Sequence, residues 1–391
     1  MAILVISLRM ILALLAMGAL FMPFLAAGQP VLVIEGDSAI PVAVGTIKGG
    51  QADLVKTVLT NDLNNSGSLK AVNSEKGVYQ VSGSISGNTI TGRLTDPSGK
   101  EVFAQRFTDN LRRAAHQFND EVVLAITGKP GIATSRITFI SSHSGKKEVY
   151  MTDIDGHNIR QLTSDKSISL GPKFSPSGDS IAYTSYKSGY PDVWVINLVL
   201  QKRRSVSFYP GINSAPAFSP DGAKLALTLS KDGNTELYTV NANGGSPNRL
   251  TNTRGTEASP TWSPSGKEIA FTSDDRGSPQ IMILNRSSKS VRRMRTNSTY
   301  TTEPAWSPDG KSIAYSIMTA GQMQIGISNP LNGNQSILTT DGFCESPSWA
   351  RNSRHLIYTR KGKIYLLDAV TKKTKPIALS ISKCSEPHCS R

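Results

Sequence analysis

The chain has 391 residues, of which 38% are hydrophobic and 18% are charged, so it can bury roughly two or three domain cores and is not a predominantly disordered protein. Its 33 glycines and 21 prolines are spread along the sequence, which favours a turn-rich β protein over a helical bundle or coiled coil. The net charge of +14 suits either an anionic partner or a well-solvated surface. Since no dense basic cluster with interleaved aromatic residues occurs, nucleic-acid binding is not expected.

The first 28 residues have the pattern of a secretory signal. Arg9 precedes an apolar run from Met10 to Leu25, and the small residues 26–28 follow it. This run is shorter than the roughly 20 residues that cross a bilayer. We therefore predict that residues 1–28 are a cleaved signal peptide and that the mature protein is exported. The alternative is an uncleaved N-terminal anchor.

Residues 29–131 are predicted to form a small α/β domain. Apolar residues at helical spacing predict one helix over 51–64 and a second over about 111–127. The segment Gly128–Gly131 then provides a hinge. Strand-like segments lie at 31–34, 41–44, 79–82, 89–94 and 101–107.

A repeated phrase dominates the rest of the chain. An aromatic residue followed by Ser-Pro-x-Gly begins at Phe174, Phe218, Trp262 and Trp306, always 44 residues apart, and a degraded copy begins at Trp349. Each copy is followed by alternating apolar segments and Gly-containing turns, so that one repeat contains four short strands. Four-stranded units of this length are typical of β-propeller blades. The Ser-Pro-x-Gly segment itself is interpreted as a structural turn.

The two ends of the repeat array complement each other. The first unit, which begins near Arg136, lacks an innermost strand, whereas the segment Ser385–Ser390 aligns with the start of such a strand and has no unit to follow it. We therefore predict that residues 132–391 form a six-bladed β-propeller closed by the C-terminal strand at about 385–390. Closure of this kind removes the free edges of the array. The predicted fold class is mainly β, a six-bladed propeller with a small N-terminal α/β domain.

With an export signal, an α/β module and six propeller repeats in that order, the chain resembles the TolB family of the bacterial Tol–Pal system. The resemblance rests on the repeat phrase, above all the segment Thr302–Gly310, and on the helix that ends at Thr127-Gly128. It implies a non-enzymatic periplasmic scaffold that supports outer-membrane integrity and envelope constriction during division. Such a protein is a monomer and approaches membranes only through its partners.

The resemblance also implies two partner sites. The segment after the signal peptide would bind a TolA-like inner-membrane protein, and the mouth of the propeller channel would bind a Pal-like peptidoglycan-associated lipoprotein. The first segment comprises Gln29, Pro30, Val31, Leu32, Val33, Ile34 and Glu35. The predicted mouth residues are Asn213, Ser214, Ala215, Glu257, Ala258, Ser259, Thr301, Thr302, Glu303, Glu345 and Glu386. The N-terminal domain is shorter than is usual in the family, lacking a helix after Asn73.

Four of these residues raise an electrostatic hypothesis. Glu257, Glu303, Glu345 and Glu386 each lie within three residues before the proline of an innermost strand. In a propeller they would rim one end of the channel and could attract a cation or a basic partner residue. The alternative is that each is an independent, solvated end of a strand.

Enzymatic signatures are absent from the sequence. It has no Gly-x-Ser-x-Gly elbow, no phosphate-binding glycine loop and no metal-binding His/Cys spacing, so no catalytic residue, metal or cofactor is predicted. Cys344, Cys384 and Cys389 are expected to be free thiols. Two alternatives to a scaffold are an exported propeller enzyme acting on an envelope polysaccharide and a propeller that binds anionic glycans. A channel mouth rich in His and Arg would favour the enzyme.

Overall fold

The computed structural model describes residues 39–73 and 77–390. The predicted signal peptide, the predicted strand at 31–34 and the candidate TolA-binding segment Gln29–Glu35 lie outside the described residues. Within the described part of the chain, no helix is long and apolar enough to cross a membrane.

The N-terminal domain is an α/β domain, as the sequence predicts. Its elements are β1 (Ile40–Lys48), α1 (Ala52–Asn65), β2 (Leu69–Val72), β3 (Tyr79–Ser86), β4 (Thr89–Thr95), β5 (Glu101–Thr108) and α2 (Leu111–Thr127). The five strands form one sheet in the order β2-β1-β3-β4-β5, in which β1 pairs in parallel with both β2 and β3. Strand β2 was not anticipated from sequence.

Helix α2 is the best specified element of this domain. Its N-cap Asn110 accepts a hydrogen bond from the Arg113 amide at 3.0 Å, and Gly128 ends the helix in the left-handed conformation. The buried Phe118 of α2 stacks on Phe107 with 5.3 Å between the ring centroids. It also packs on Gly92 so closely that a Cβ atom there would lie 2.7 Å from the ring. The helix is therefore seated directly on the sheet.

Six four-stranded antiparallel sheets follow. They contain β6 (Arg136–Ser141), β7 (Glu148–Asp153), β8 (Arg160–Gln161), β9 (Ser169–Phe174), β10 (Ser180–Ser185), β11 (Asp192–Asn197), β12 (Lys202–Ser207), β13 (Asn213–Phe218), β14 (Lys224–Leu229), β15 (Glu236–Asn241), β16 (Asn248–Arg249), β17 (Glu257–Trp262), β18 (Glu268–Ser273), β19 (Gln280–Asn285), β20 (Val291–Arg293), β21 (Thr301–Trp306), β22 (Ile313–Thr319), β23 (Gln322–Ser328), β24 (Gln335–Ile337), β25 (Cys344–Trp349), β26 (His355–Arg360), β27 (Lys363–Asp368), β28 (Thr374–Pro376) and β29 (Cys384–Cys389).

The sheets are the six blades of a propeller, which confirms the predicted fold class. Blade 1 is formed by β29, β6, β7 and β8, and blades 2 to 6 are formed by consecutive strands from β9 to β28. The last strand thus pairs with the first propeller strand, from Cys384 opposite Ser141 to Cys389 opposite Ile137. The Arg136 amide also donates a 2.8 Å hydrogen bond to the Ser390 hydroxyl. The pairing of β29 with β6 therefore closes the ring of blades.

The two domains meet through charged side chains. Asp120 of α2 accepts hydrogen bonds from the Ala133 and Thr134 amides and from Arg351 of blade 6. Near it, the buried His116 lies between two carboxylates, 2.6 Å from Asp62 of α1 and 3.2 Å from Asp155 of blade 1. These two carboxylates raise the pKa of His116 from 6.5 to about 9, against the opposing effect of burial.

The position of this contact decides which end of the propeller is free. Asp155 lies in the turn between β7 and β8, and Arg351 lies in the turn between β25 and β26. In an antiparallel blade these turns are at the end where the innermost strands finish. The N-terminal domain therefore occupies one end of the propeller, beside blades 1 and 6, and the opposite end carries the candidate site.

Candidate functional site

We call the end at which the innermost strands begin the mouth face. It is formed by the loops that lead into β9, β13, β17, β21, β25 and β29, at residues 162–168, 208–212, 250–256, 294–300, 338–343 and 377–383. The hairpins between the second and third strands of each blade lie at the same end. A channel cavity of about 440 Å³ is lined by all six innermost strands.

Each innermost strand contains the same local distortion. Its third residue has a positive φ of 50–56°, and its fourth residue is proline. Because proline offers no amide to the neighbouring strand, the register slips at this point in every blade and leaves a β-bulge. The six residues are Gly171, Ala215, Ser259, Glu303, Ser346 and Glu386.

Five of these six residues are not glycine, so each adopts the left-handed conformation at a cost of roughly 1–3 kcal/mol. Strain of this kind is retained where the surrounding structure holds it, and here the fixing contacts come from the preceding blade. The Ala215 amide donates to the Thr184 hydroxyl at 3.1 Å, and the Glu303 amide donates to the Thr272 hydroxyl at 3.2 Å. These hydrogen bonds fix the two bulges to the preceding blade.

Glu303 and Glu386 extend this locking. Glu303 accepts hydrogen bonds from the Ser346 amide at 2.8 Å, from the Ser346 hydroxyl at 2.9 Å and from the Ser316 hydroxyl at 2.7 Å. Glu386 accepts a 2.5 Å hydrogen bond from the Gly171 amide. In blade 1 the residue equivalent to Thr184 is Ile140, which has no hydroxyl. The Glu386 carboxylate therefore accepts the hydrogen bond from the Gly171 amide that Ile140 cannot accept.

The channel is not uniformly acidic, because Lys173 of β9 lines it together with these two glutamates. Burial lowers the pKa of Lys173, whereas the charges of Glu303 and Glu386 raise it. Burial likewise raises the pKa of Glu386. The result is a lysine and two carboxylates that share a narrow, poorly hydrated space. Lys173 was not singled out from the sequence.

Three predicted mouth residues do not face the channel. Asn213, Glu257 and Thr301 are the first residues of their strands and are fully buried. Glu257 accepts hydrogen bonds from the hydroxyls of Thr253 at 2.6 Å and Ser273 at 3.2 Å, and burial raises its pKa. The prediction that these residues rim the mouth is wrong. Their side chains instead fix the loops that lead into the innermost strands. Asn213, for example, accepts a hydrogen bond from the Tyr209 amide at 2.9 Å.

The other predicted mouth residues remain accessible in part. Glu345, the second residue of β25, is exposed, although partial burial and the nearby Glu303 raise its pKa. The remaining ones are half-buried in the second or third position of their strands: Ser214, Ala215, Ala258, Ser259, Thr302, Glu303 and Glu386. The predicted acidic rim is therefore reduced to three glutamates, of which two are already hydrogen-bonded across blades.

Sequence reasoning missed the apolar side chains on the surrounding loops and hairpins. Tyr190 and Phe208 are 73% and 72% exposed, and Phe343 is 59% exposed. Tyr186 and Tyr300 are exposed on the same face. Because Tyr and Phe are enriched at protein interfaces, this face is the candidate interaction surface. In sequence these residues lie before an innermost strand or between the second and third strands of a blade. Only the blade topology shows that these two kinds of loop lie on the same face.

Within residues 39–73 and 77–390, no three His, Cys, Asp or Glu side chains are grouped so that they could hold a metal ion.

The fold and the site together define a six-bladed β-propeller with an α/β domain at one end and a strained, aromatic-rimmed mouth at the other. Residues 123–390 match the family model described as the TolB beta propeller domain. The chain belongs to this family.

Individual relatives agree with this assignment. Tol-Pal system protein TolB of Geobacter metallireducens is 44% identical over 107 residues, which is 25% of each chain. A TolB homolog of Chlorobium chlorochromatii is 37% identical over 123 residues, 29% of this chain and 28% of the relative. The alignments thus span only about a quarter of these curated relatives. The crystal structure of TolB from Acinetobacter baumannii has the same fold, with a TM-score of 0.82 and 24% identity over 90% of this chain and 97% of that one.

Proposed function

We propose that the protein is a non-enzymatic, periplasmic scaffold of the Tol–Pal system. In this proposal the mouth face binds a Pal-like lipoprotein, and the segment Gln29–Glu35 binds a TolA-like inner-membrane protein. The domain division proposed with it is a signal peptide at 1–28, an α/β domain at 29–131 and the propeller at 132–391. Membership of the TolB propeller family and the names of the curated relatives support this assignment.

The single observation that carries the proposal is the organisation of the mouth face. It is the end of the propeller opposite the N-terminal domain, it holds a ring of strained residues, and aromatic side chains surround it. A preorganised, concave centre with an aromatic rim suits a folded partner that inserts a loop into the channel and rests on the surrounding loops. The hydrogen-bonded Ser346 and Glu303 keep that surface rigid before binding.

The charges in the channel would determine the orientation in which the partner docks. Glu303 and Glu345 offer carboxylates near blades 5 and 6, whereas Lys173 offers an ammonium group from blade 2. A partner loop with a basic residue directed towards blades 5 and 6 would match this distribution. Truncating one member of a buried, hydrogen-bonded charge pair weakens association mainly by speeding dissociation.

The test is a titration of the mature protein with the soluble domain of the Pal-like lipoprotein encoded in the same genome, measured by calorimetry. We expect saturable one-to-one binding. The variant Glu303→Gln keeps the side-chain shape and removes the charge, and it should weaken binding about tenfold. Glu101→Gln, on the exposed strand β5, is the matched control and should leave the affinity unchanged.

A second measurement separates weakened binding from weakened folding. Glu303 also accepts three hydrogen bonds, so the thermal midpoint of each variant is measured alongside its affinity. Absence of binding by the wild-type protein would refute the lipoprotein assignment. Equal affinities of Glu303→Gln and wild type would refute the role of this carboxylate. The TolA-like assignment is tested by deleting residues 29–35, which should abolish capture of the TolA-like protein from an envelope extract and leave lipoprotein binding intact.

A further inference from the structure

A second cavity lies beside the channel, on the mouth side of blade 2. It has a volume of about 790 Å³ and is bounded by the β10–β11 hairpin and by the loop between β12 and β13. Ligand pockets in proteins occupy about 300–1,000 Å³ and combine aromatic walls with a few polar groups. This cavity has both features, and its walls include Tyr190 and Phe208 from the aromatic rim of the mouth face.

The walls are aromatic and open to solvent. Tyr190 and Phe208 contribute rings that are 73% and 72% exposed, and Tyr209 lies next to Phe208 with 6.4 Å between ring centroids and planes 12° apart. Two large aromatic side chains exposed in one concave site are unusual for a surface without a ligand. Their π faces carry partial negative charge and attract polarised C–H groups.

The floor is polar and incompletely satisfied. Asp192 and Trp194 are two residues apart in β11 and so lie on the same face of the strand. Trp194 pairs directly with Ser205 of β12. The indole N–H of Trp194 and the hydroxyl of Ser205 are buried without a hydrogen-bond partner among the residues that the structure describes. Asp192 is only 8% exposed. Burial raises the pKa of the Asp192 carboxyl group, although a hydrogen bond with Ser188 acts in the opposite direction. Asp192 thus supplies acceptor oxygens for ligand hydroxyl groups, and the buried Trp194 and Ser205 groups are further polar atoms of the floor whose hydrogen-bonding capacity is unused.

The charges exclude ionic ligands. A buried carboxylate in the floor repels an anion, and desolvating it beside an anionic group is costly. A cation is disfavoured for two reasons: the protein carries a net charge of +14, and Lys187 already holds its ammonium group 4.3 Å from the centre of the Trp194 ring. A neutral ligand with an apolar face and several hydroxyl groups avoids both penalties.

We propose that this cavity binds an uncharged pyranose oligosaccharide, which stacks its C–H faces on Tyr190 and Phe208 and donates hydroxyl hydrogen bonds to Asp192. The same chemistry is presented by free oligosaccharides and by glycan chains attached to the cell envelope. The residues that line this cavity do not line the channel, although Tyr190 and Phe208 also belong to the aromatic rim on which the proposed protein partner would rest.

The first experiment is a calorimetric titration of the mature protein with three soluble trisaccharides: cellotriose, maltotriose and the N-acetylglucosamine trimer. We expect saturable binding of at least one of them at millimolar concentration or below. Tyr190→Ala and Phe208→Ala should each weaken this binding about tenfold, because each removes one stacking surface. Asp192→Asn should weaken it by a comparable factor. Since Tyr190 and Phe208 are exposed, their variants should fold like the wild type.

Phe343→Ala is the matched control, since it removes another exposed ring of the mouth face that lies outside the cavity. It should leave saccharide affinity unchanged. Absence of binding for all three trisaccharides would overturn the proposal, as would wild-type affinity in both aromatic variants. A proline-rich decapeptide is titrated in parallel. Binding of this peptide without binding of any saccharide would also overturn the proposal, because it would make the cavity a peptide groove.

To distinguish the two sources, an insoluble peptidoglycan preparation is sedimented with the protein. If the protein co-sediments and the trisaccharide that binds in the titration prevents this by competition, the ligand is the envelope glycan. If the trisaccharide binds but the protein does not co-sediment, the ligand is the free sugar. Lipoprotein binding is measured separately on the wild type. Loss of one activity with retention of the other therefore shows which proposal has failed.

Discussion

The buried histidine between the domains offers the sharpest test of the structure. His116 is held between Asp62 and Asp155, and the protonated ring joins the two domains. A rise of its pKa from 6.5 to about 9 corresponds to roughly 3 kcal/mol of stabilisation at neutral pH. Burial raises the pKa of Asp62, which offsets part of this gain. We therefore expect His116→Gln to lower the free energy of unfolding by about 1–3 kcal/mol at pH 6.

The pH dependence has a defined sign. The folded protein holds the proton of His116 up to about pH 9, whereas the unfolded chain releases it near 6.5. The stabilisation is complete below pH 6.5, and it is lost as the pH rises through about 9. The difference between wild type and His116→Gln should therefore be largest at pH 6 and nearly absent at pH 10.

Urea unfolding followed by circular dichroism provides the measurement. Tryptophan fluorescence adds a signal from the propeller alone, because Trp194, Trp262, Trp306 and Trp349 all lie there. His143→Gln is the matched control, since His143 is exposed on the β6–β7 hairpin. A stability difference between wild type and His116→Gln that stayed constant from pH 6 to pH 10 would refute the reasoning.

Three further predictions concern closure, the linker and the thiols. Removing β29 should abolish cooperative unfolding of the propeller, whereas removing residue 391 alone should not; an unchanged calorimetric midpoint after loss of the strand would contradict ring closure. Gly131→Ala would place a Cβ atom 2.2 Å from Asp120 Oδ1 and should cost about 1–3 kcal/mol, with Gly50→Ala, which meets no atom within 4 Å, as the control in thermal unfolding. Burial raises the pKa of Cys384 to about 11 and that of Cys389 to about 12, so Ellman's reagent at pH 8 should label these thiols only after urea is added; rapid labelling of the native protein would be inconsistent with this burial.

The repeat was sufficient to predict the propeller because its signal is physical and regular. A proline and a glycine at fixed spacing define the same turn in successive blades, and alternating apolar residues define the strands. The pairing of β29 with β6 followed from counting these units. Helix α2 was predicted with its observed bounds because Gly128 marks its end.

The candidate site was predicted less well, because the relevant geometry leaves little trace in sequence. The position of the four glutamates shortly before a proline suggested that they rim the channel together. The bulge instead divides them: Glu257, at the first position, is buried inside a blade, whereas Glu303, at the third, reaches the channel. Non-glycine residues with positive φ, such as Ala215, carry no compositional signature. Strand β2 is four residues long and is specified by its pairing with β1, not by a pattern of its own.

The closing strand also has a consequence for biosynthesis. The hydrogen bond between Arg136 and Ser390 joins residues 254 positions apart, so the first sheet of the ring is incomplete until β29 has been translated. Contacts of such long sequence separation slow folding. The order of synthesis thus delays completion of the ring until all six blades and β29 have been made.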